Sequence, residues 1–359
     1  MSSENRCDCF IGVLICGAVG STLGFINKGK SFDDIKKEET AFNWTYSHYI
    51  HGSNIELMIT LGRYLLACNK RQPIEAPAIL PIEAKKEPHT EMKNRVHMLY
   101  KNVVQKSRKL YNKETADALK NWKPSSSFGT LNNCDAAIRV APLALTFLKT
   151  DIELYDEIIN LVYCTHGGNK DSVDIAFVHV KLLHSLLFGK RKTAEEIYPY
   201  MLYLAQLCKN KQLYIGITAL NPNNKQIFVS NQWEITKSLF GFDFFHQTAV
   251  ECYICALTCF LYNFNHPVKA MLLAMKVGGD TESITKLTGD MIGAVYGCRW
   301  LPAEWTKVEN KELLSAIATG LYCSFPKDKH GWVFKHSETI VPQTETETII
   351  PQTETTTLL

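Results

Sequence analysis

The sequence predicts an all-α protein, and three observations carry that prediction. Apolar residues recur at spacings of three and four along most of the chain, the pattern of a helix with one buried face. Alternation with a period of two is scarce, and its best instance, residues 226–230, is short. Hydrophobic residues make up 46% of 359 positions against 21% charged, which is enough for one large core or two ordinary ones.

In chain order, residues 1–9 read as a flexible polar end, with Cys7-Asp8-Cys9 frayed and reduced. Residues 10–26 form an apolar run behind Arg6, interrupted by Gly12, Gly17, Gly20 and Gly24. The glycines break it as a membrane span, and no polar cleavage region follows. The run therefore predicts a buried first helix with close backbone contacts, and no membrane partner. In residues 54–69, Leu57, Leu61, Tyr64 and Cys68 fall on one helical face. Residues 71–89 hold Pro73, Pro77, Pro81 and Pro88, which predict a long loop because proline blocks helix continuation. Residues 123–133, rich in Ser and Gly, predict another. Helical spacing then recurs in 143–148, 158–163, 175–187, 198–207, 250–262, 268–277 and 283–296. Helices of one character flank both loops, so residues 10–335 read as one domain. Residues 336–359 contain the tandem Ile340-Val341-Pro342-Gln343-Thr344-Glu345 and Ile349-Ile350-Pro351-Gln352-Thr353-Glu354. A polar repeat without aromatic residues buries too little to offset its ordering entropy, which predicts a disordered tail.

A net charge of +3 excludes the strong basic excess of a nucleic-acid binder. Residues 28–37 are lysine-dense but interleaved with Asp33 and Asp34, the pattern of a solvated loop, with a phosphate-attracting patch as the alternative. Among 12 cysteines, Cys252, Cys255 and Cys259 share one helical face in an apolar run and read as buried thiols. No pair has zinc-ligand spacing. Free thiols point to a reducing, cytoplasmic compartment. The chain is expected to be a monomer.

The strongest chemical signal is Gly278-Gly279-Asp280-Thr281-Glu282-Ser283. Two glycines allow a sharp turn and a close approach to a ligand. Four oxygen-bearing side chains then stand at a helix N-terminus, a set suited to a hard cation such as magnesium. Helix capping by Asp280 and Thr281, with Glu282 favourable to the dipole, accounts for the same residues equally well.

Residues 277–300 read VGGDTESITKLTGDMIGAVYGCRW. This segment resembles the GGDTDxI...AGAxxGAxYG block of the ADP-ribosylglycohydrolase family. Four more blocks follow the family's order. Gly17 to Gly24 resemble GxxxGDALG. Ser53-Asn54-Ile55-Glu56-Leu57 stand in the place of DDTEL. Asn133 to Pro142 resemble GNGAAMRVAP, and Cys164-Thr165-His166-Gly167 the TH turn. The resemblance spans nearly everything except the tail.

That resemblance implies a compact all-α fold with a central cleft and two magnesium ions. It also implies hydrolysis of the glycosidic bond between ADP-ribose and a protein side chain. Paired divalent ions would orient the ribose hydroxyls and a water. Carried over by position, Asp280, Glu282 and Ser283 are the retained half of the metal site, with Glu282 one methylene longer than the usual Asp. The degenerate half falls on Gly52, Ser53 and Asn54, where two carboxylates have become a hydroxyl and an amide. Ser53 and Asn54 are expected to face Asp280. Ser21 stands for the Asp of GDALG, and Lys28 falls where the family often places a catalytic Glu. Cys134 and Asp135 alter the GNG turn. His166, Gly279 and Asn133 are the candidate substrate contacts.

Other residues carry competing readings. His179 and His184 read as packed on an apolar helix. Asp171 and Asp174 read as an exposed loop, with compensating carboxylates as the alternative. Asp290, seven residues past Ser283, is expected to face the same way. Phe128, Phe242, Phe244 and Phe245 read as core, or as an adenine platform. Two classes of function remain. One is an ADP-ribosyl glycohydrolase with a degraded site holding one weakly bound magnesium ion or none. The other is a silent pseudoenzyme that binds ADP-ribose or an ADP-ribosylated protein.

Overall fold

A computed structural model describes residues 3–31, 33–35, 50–68, 89–146, 150–189, 193–222, 248–325, 327–328 and 331–332. The expected strand at 226–230, the proline loop at 71–88, Phe242, Phe244, Phe245 and the tail lie outside the described residues.

The described chain is helical almost throughout. Helix α1 is Ser3–Phe25, α2 Ser53–Cys68, α3 His89–Lys106, α4 Lys113–Lys120 and α5 Asp135–Val140. Next come α6 Asp151–His166, α7 Lys170–Phe188, α8 Ala194–Cys208 and α9 Lys211–Ala219. The last four are α10 Ala249–Tyr262, α11 Pro267–Ala274, α12 Thr281–Tyr296 and α13 Lys311–Cys323. One small antiparallel pair follows, β1 Lys327–Asp328 with β2 Gly331–Trp332. One contiguous apolar cluster runs from Cys9 to Phe325 and joins all of the larger helices.

Local sequence explains where the helices start. Thr150 with Glu153 and Thr248 with Glu251 form reciprocal capping boxes on α6 and α10. Asn169, Thr193 and Asn210 cap α7, α8 and α9 through single side-chain oxygens. The segment at 143–148 differs from expectation. The helix there is the earlier α5, and a 3-10 turn follows over Ala141–Leu145. Pro142 suits the start of such a turn and cannot donate to a continuing α-helix.

Helices α1 and α12 share the most extensive helix contact among the described residues. Glycines make it possible. A Cβ on Gly12 would lie 2.5 Å from the Gly293 carbonyl, and one on Gly20 2.3 Å from the Thr285 carbonyl. The two backbones therefore touch directly. Helix α1 is long and apolar enough to cross a membrane, yet 78% of that stretch is buried inside the protein.

The N-terminus corrects an expectation. Helix α1 begins at Ser3, so Cys7, Asp8 and Cys9 are helical rather than frayed, and Cys9 is buried. Asp8 holds this end in place. It accepts from the Cys298 thiol at 3.1 Å and pairs with Arg299 at 3.6 Å. Sequence periodicity also passed over α3, α4, α9 and α13, the first two of which carry many charged residues.

Candidate functional site

The site forms where the end of α1 meets the start of α12. Gly278 and Gly279 adopt φ values of 81° and 69°, a region that side-chain-bearing residues enter only with strain. This turn lets Asp280 cap α12. Its carboxylate accepts from the Ser283 backbone at 3.4 Å and from the Ser283 hydroxyl at 2.6 Å. The segment after α1 is pinned alongside. Gly29 N donates to the Gly279 carbonyl at 2.8 Å, and Gly279 N to the Lys30 carbonyl at 3.0 Å. Asn27 donates to the Met275 carbonyl at 2.9 Å, and Thr281 Oγ1 to the Gly24 carbonyl at 2.7 Å.

These tethers deliver Lys28 to the acidic turn. Its Nζ lies 2.7 Å from Glu282 Oε2 and 3.6 Å from Asp280 Oδ1, with the side chain 45% exposed. Partial burial opposes the ammonium charge, but Asp280 and Glu282 outweigh it and raise the Lys28 pKa. The other Glu282 oxygen accepts from the Ser21 hydroxyl at 3.1 Å. Burial raises the Glu282 pKa and Lys28 opposes that shift. Ser21 Oγ in turn accepts from Gly52 N at 2.9 Å, so residue 52 lies directly against Glu282.

Ser53 and Asn54 follow Gly52 at the start of α2. Both ends of the Asn54 amide are engaged. The amide donates to Asp135 Oδ1 at 2.7 Å and accepts from Arg139 Nε at 3.3 Å. Arg139, 1% exposed, also donates to Thr165 Oγ1 at 2.7 Å and lies 3.8 Å from Asp135 Oδ2. Burial raises the Asp135 pKa. Arg139 opposes the rise and Asp280 adds to it, so the Asp135 and Asp280 carboxylates feel one another.

Asn133 and His166 build the wall behind Asp135. Asn133 Oδ1 accepts from Asp135 N at 3.0 Å and lies 2.7 Å from His166 Nε2. His166 is wholly buried, and burial holds its pKa well below the ordinary value. A neutral ring with Nε2–H donating to Asn133 fits those distances, so His166 orients the loop.

The structure therefore gathers Lys28, Asn54, Asn133, His166, Gly279, Asp280, Glu282 and Ser283 around one polar centre, with Ser53 next in sequence to Asn54 at the start of α2. Sequence reading had treated Asp135 only as a change of turn, and had not named Arg139 or Thr165 as site residues. Their signal was present in part, since Asp135 and Arg139 are spaced by four on one helix face.

Other expectations change. Asp174 is wholly buried rather than on a loop. It accepts from Tyr155 at 2.7 Å and Asn210 at 2.9 Å, so it ties α6 to α7 and the start of α9. Asp171 accepts from the same Asn210. Asp290 lies on Ser283's side of α12 but two turns deeper, where it is buried beside Lys286 and His179. His184 packs on Phe188 with ring centroids 4.5 Å apart. Phe128 stands edge-on to Tyr163 and is 54% exposed.

The family model for ADP-ribosylglycohydrolases matches residues 2–330. The chain belongs to the ADP-ribosylglycohydrolase family. A solved structure described as an ADP-ribosylglycohydrolase-related protein complex is similar, with a TM-score of 0.58 at 18% identity. The alignment covers 89% of this chain and 99% of that one, and it shows a shared fold. No curated protein matches. Within the family's fold, the acidic turn, the start of α2 and the Asn133 to Pro142 block thus converge on one centre.

Proposed function

We propose that this family member holds an ADP-ribosyl group at the site without two-magnesium hydrolysis. The observation that carries the reading is the Lys28 ammonium seated on Glu282 and beside Asp280. A lysine there delivers one positive charge through hydrogen-bond donors. Unlike a divalent ion, it does not coordinate a water and lower its pKa toward neutrality.

The residues present do not fit a pair of magnesium ions. Two such ions bring four positive charges, which a set of carboxylates must offset. Glu282 has both oxygens occupied by Lys28 and Ser21. Asn54 stands where the resemblance places a carboxylate, and its amide is committed to Asp135 and Arg139. Among the described residues, no group of three or more His, Cys, Asp or Glu has the arrangement of a metal site. Binding chemistry is still present. Lys28 has further N–H groups to offer a phosphate or hydroxyl, and Asp280 can accept from a ribose hydroxyl. The twelve cysteines are free thiols, which suits the reducing cytoplasm proposed as its setting.

Asp135 favours a second reading. It is a third carboxylate in the field of Asp280 and Glu282, as a one-ion hydrolase would use. One experiment separates the two. ADP-ribose binding is measured by calorimetry with magnesium and with a chelator, beside release of ADP-ribose from modified arginine, serine and glutamate. The proposed reading expects equal binding in both buffers and no release. Magnesium-dependent release that disappears in Asp280→Ala would establish the one-ion enzyme instead. Absence of binding in both buffers would sink the binding reading.

A further inference from the structure

Helix α12 carries a second charged cluster deeper along its length. Lys286 and Asp290 are both wholly buried, and their side chains pair directly. His179 of α7, also wholly buried, places Nε2 2.9 Å from the same Asp290 oxygen. Burial lowers the His179 pKa, so the ring is neutral and Nε2–H donates to Asp290. Buried ion pairs are seldom more stable than well-packed apolar residues of the same volume. Their position gives this one a task.

Lys286 Nζ also lies 3.4 Å from the Ile138 carbonyl, in the last turn of α5. In a continuing α-helix that carbonyl would accept from residue 142, and Pro142 has no N–H to give. The ammonium meets the carbonyl end of α5, where the helix dipole favours a cation. Helix α5 carries Asp135 and Arg139, and α12 begins at the Asp280 cap and carries Glu282. Helix α7 holds the turn before α5, because Ser172 Oγ accepts from Asn133 N at 3.1 Å. The cluster thus ties together the three helices that set the site.

We infer that Lys286, Asp290 and His179 form a positioning brace that fixes α5 against α12 and α7. The brace sets the spacing of Asp135 from Asp280 and Glu282. Only its ligand-binding consequence rests on the proposed function.

The test replaces the whole cluster by apolar residues, Lys286→Met/Asp290→Ala/His179→Leu, so that no buried charge is left unpaired. Two readouts need no ligand: the side-chain amide signals of Asn54, and the carboxyl titration of Asp135 by NMR. The brace predicts a cooperatively melting protein in which the Asn54 signals move and Asp135 titrates nearer an ordinary aspartate. ADP-ribose affinity falls by at least about tenfold, as expected when a site loses its supporting contacts. Unchanged signals, titration and affinity in a folded variant would overturn the inference. Should the triple variant not fold, Pro142→Ala supplies the second arm, since it returns an N–H to Ile138. Lys286→Met must then displace the Asn54 signals less in the Pro142→Ala background than alone. Equal displacement in both would also overturn it. Failure of the wild-type protein to bind ADP-ribose would remove the functional reading alone, while Asn54 and Asp135 still judge the brace.

Discussion

Gly52 and Glu282 occupy complementary space: a Cβ on residue 52 would lie 1.5 Å from Glu282 Oε1. The resemblance to the family places a side-chain-bearing residue at 52 and a shorter aspartate at 282. Each departure looks like a separate loss in the sequence. Together they are one exchange, in which the longer acid fills the volume that the missing side chain leaves.

This exchange sets a first prediction. Gly52→Ala forces the Glu282 carboxylate away from Ser21 and Lys28, with a loss of about 1–3 kcal/mol from overpacking. Glu282→Asp draws the carboxylate back by one methylene and makes room. Urea midpoints of the two single variants and the double variant form a cycle. The double variant should be more stable than the sum of the singles predicts; simple additivity would show that the two positions are independent.

Lys28→Met leaves Glu282, whose side chain is 8% exposed, with Ser21 as its remaining side-chain donor. The expected loss is about 1–2 kcal/mol, below that of a fully buried pair, because solvent screens a half-exposed ammonium. The difference between wild type and variant should shrink in high salt. Lys28→Arg should retain most of the stability. Chemical denaturation at two ionic strengths measures both effects, and a salt-independent difference would argue against an electrostatic role.

Among the described residues, four buried histidines with lowered pKa values make the fold acid-sensitive. Burial lowers the pKa of His97 to about 4, and lowers those of His51, His166 and His179. In the unfolded chain each returns to about 6.5. As pH falls below that value the unfolded state binds protons that the native state refuses, so stability drops. The slope is about 1.4 kcal/mol per pH unit for each histidine until its folded pKa is reached. Asp135 and Glu282 act in the opposite sense, because burial raises their pKa values, and they offset part of the loss at lower pH. Urea midpoints should fall from pH 7 to pH 5 and fall less steeply in His97→Gln; parallel slopes would exclude His97.

Two glycines should respond very differently to alanine. At Gly20 the new Cβ meets the Thr285 backbone at 2.3 Å, so α1 and α12 must separate, with a loss of about 3 kcal/mol or more. Gly29 has φ 79° and open space around its Cβ position. Its alanine variant carries only backbone strain of roughly 1–2 kcal/mol. Thermal melting of the two variants compares them directly, and similar losses would contradict the close helix contact.

Much of the fold was legible because helix periodicity and capping are local. The α2, α7, α10 and α12 helices each show an apolar face within a few turns. Helices α3 and α4 were missed because their charged residues dilute that face. The surroundings of Asp290 were illegible for another reason. Helical spacing from Ser283 gives a direction, but not what lies opposite, and here Lys286 and His179 accept a charge into the core.

The sequence by itself determined the helical class, the glycine-lined first helix, the acidic turn at residues 278–283 and the absence of carboxylates at Ser53 and Asn54. Only the tertiary structure decided that Lys28 sits on Glu282, that Asp135 joins the site, and that Gly52 makes room for the longer acid. The reason is physical. Periodicity records which face of a segment avoids water, whereas charge pairing and steric fit depend on groups brought together from distant positions, 81 residues apart for Asn54 and Asp135 and 254 for Lys28 and Glu282.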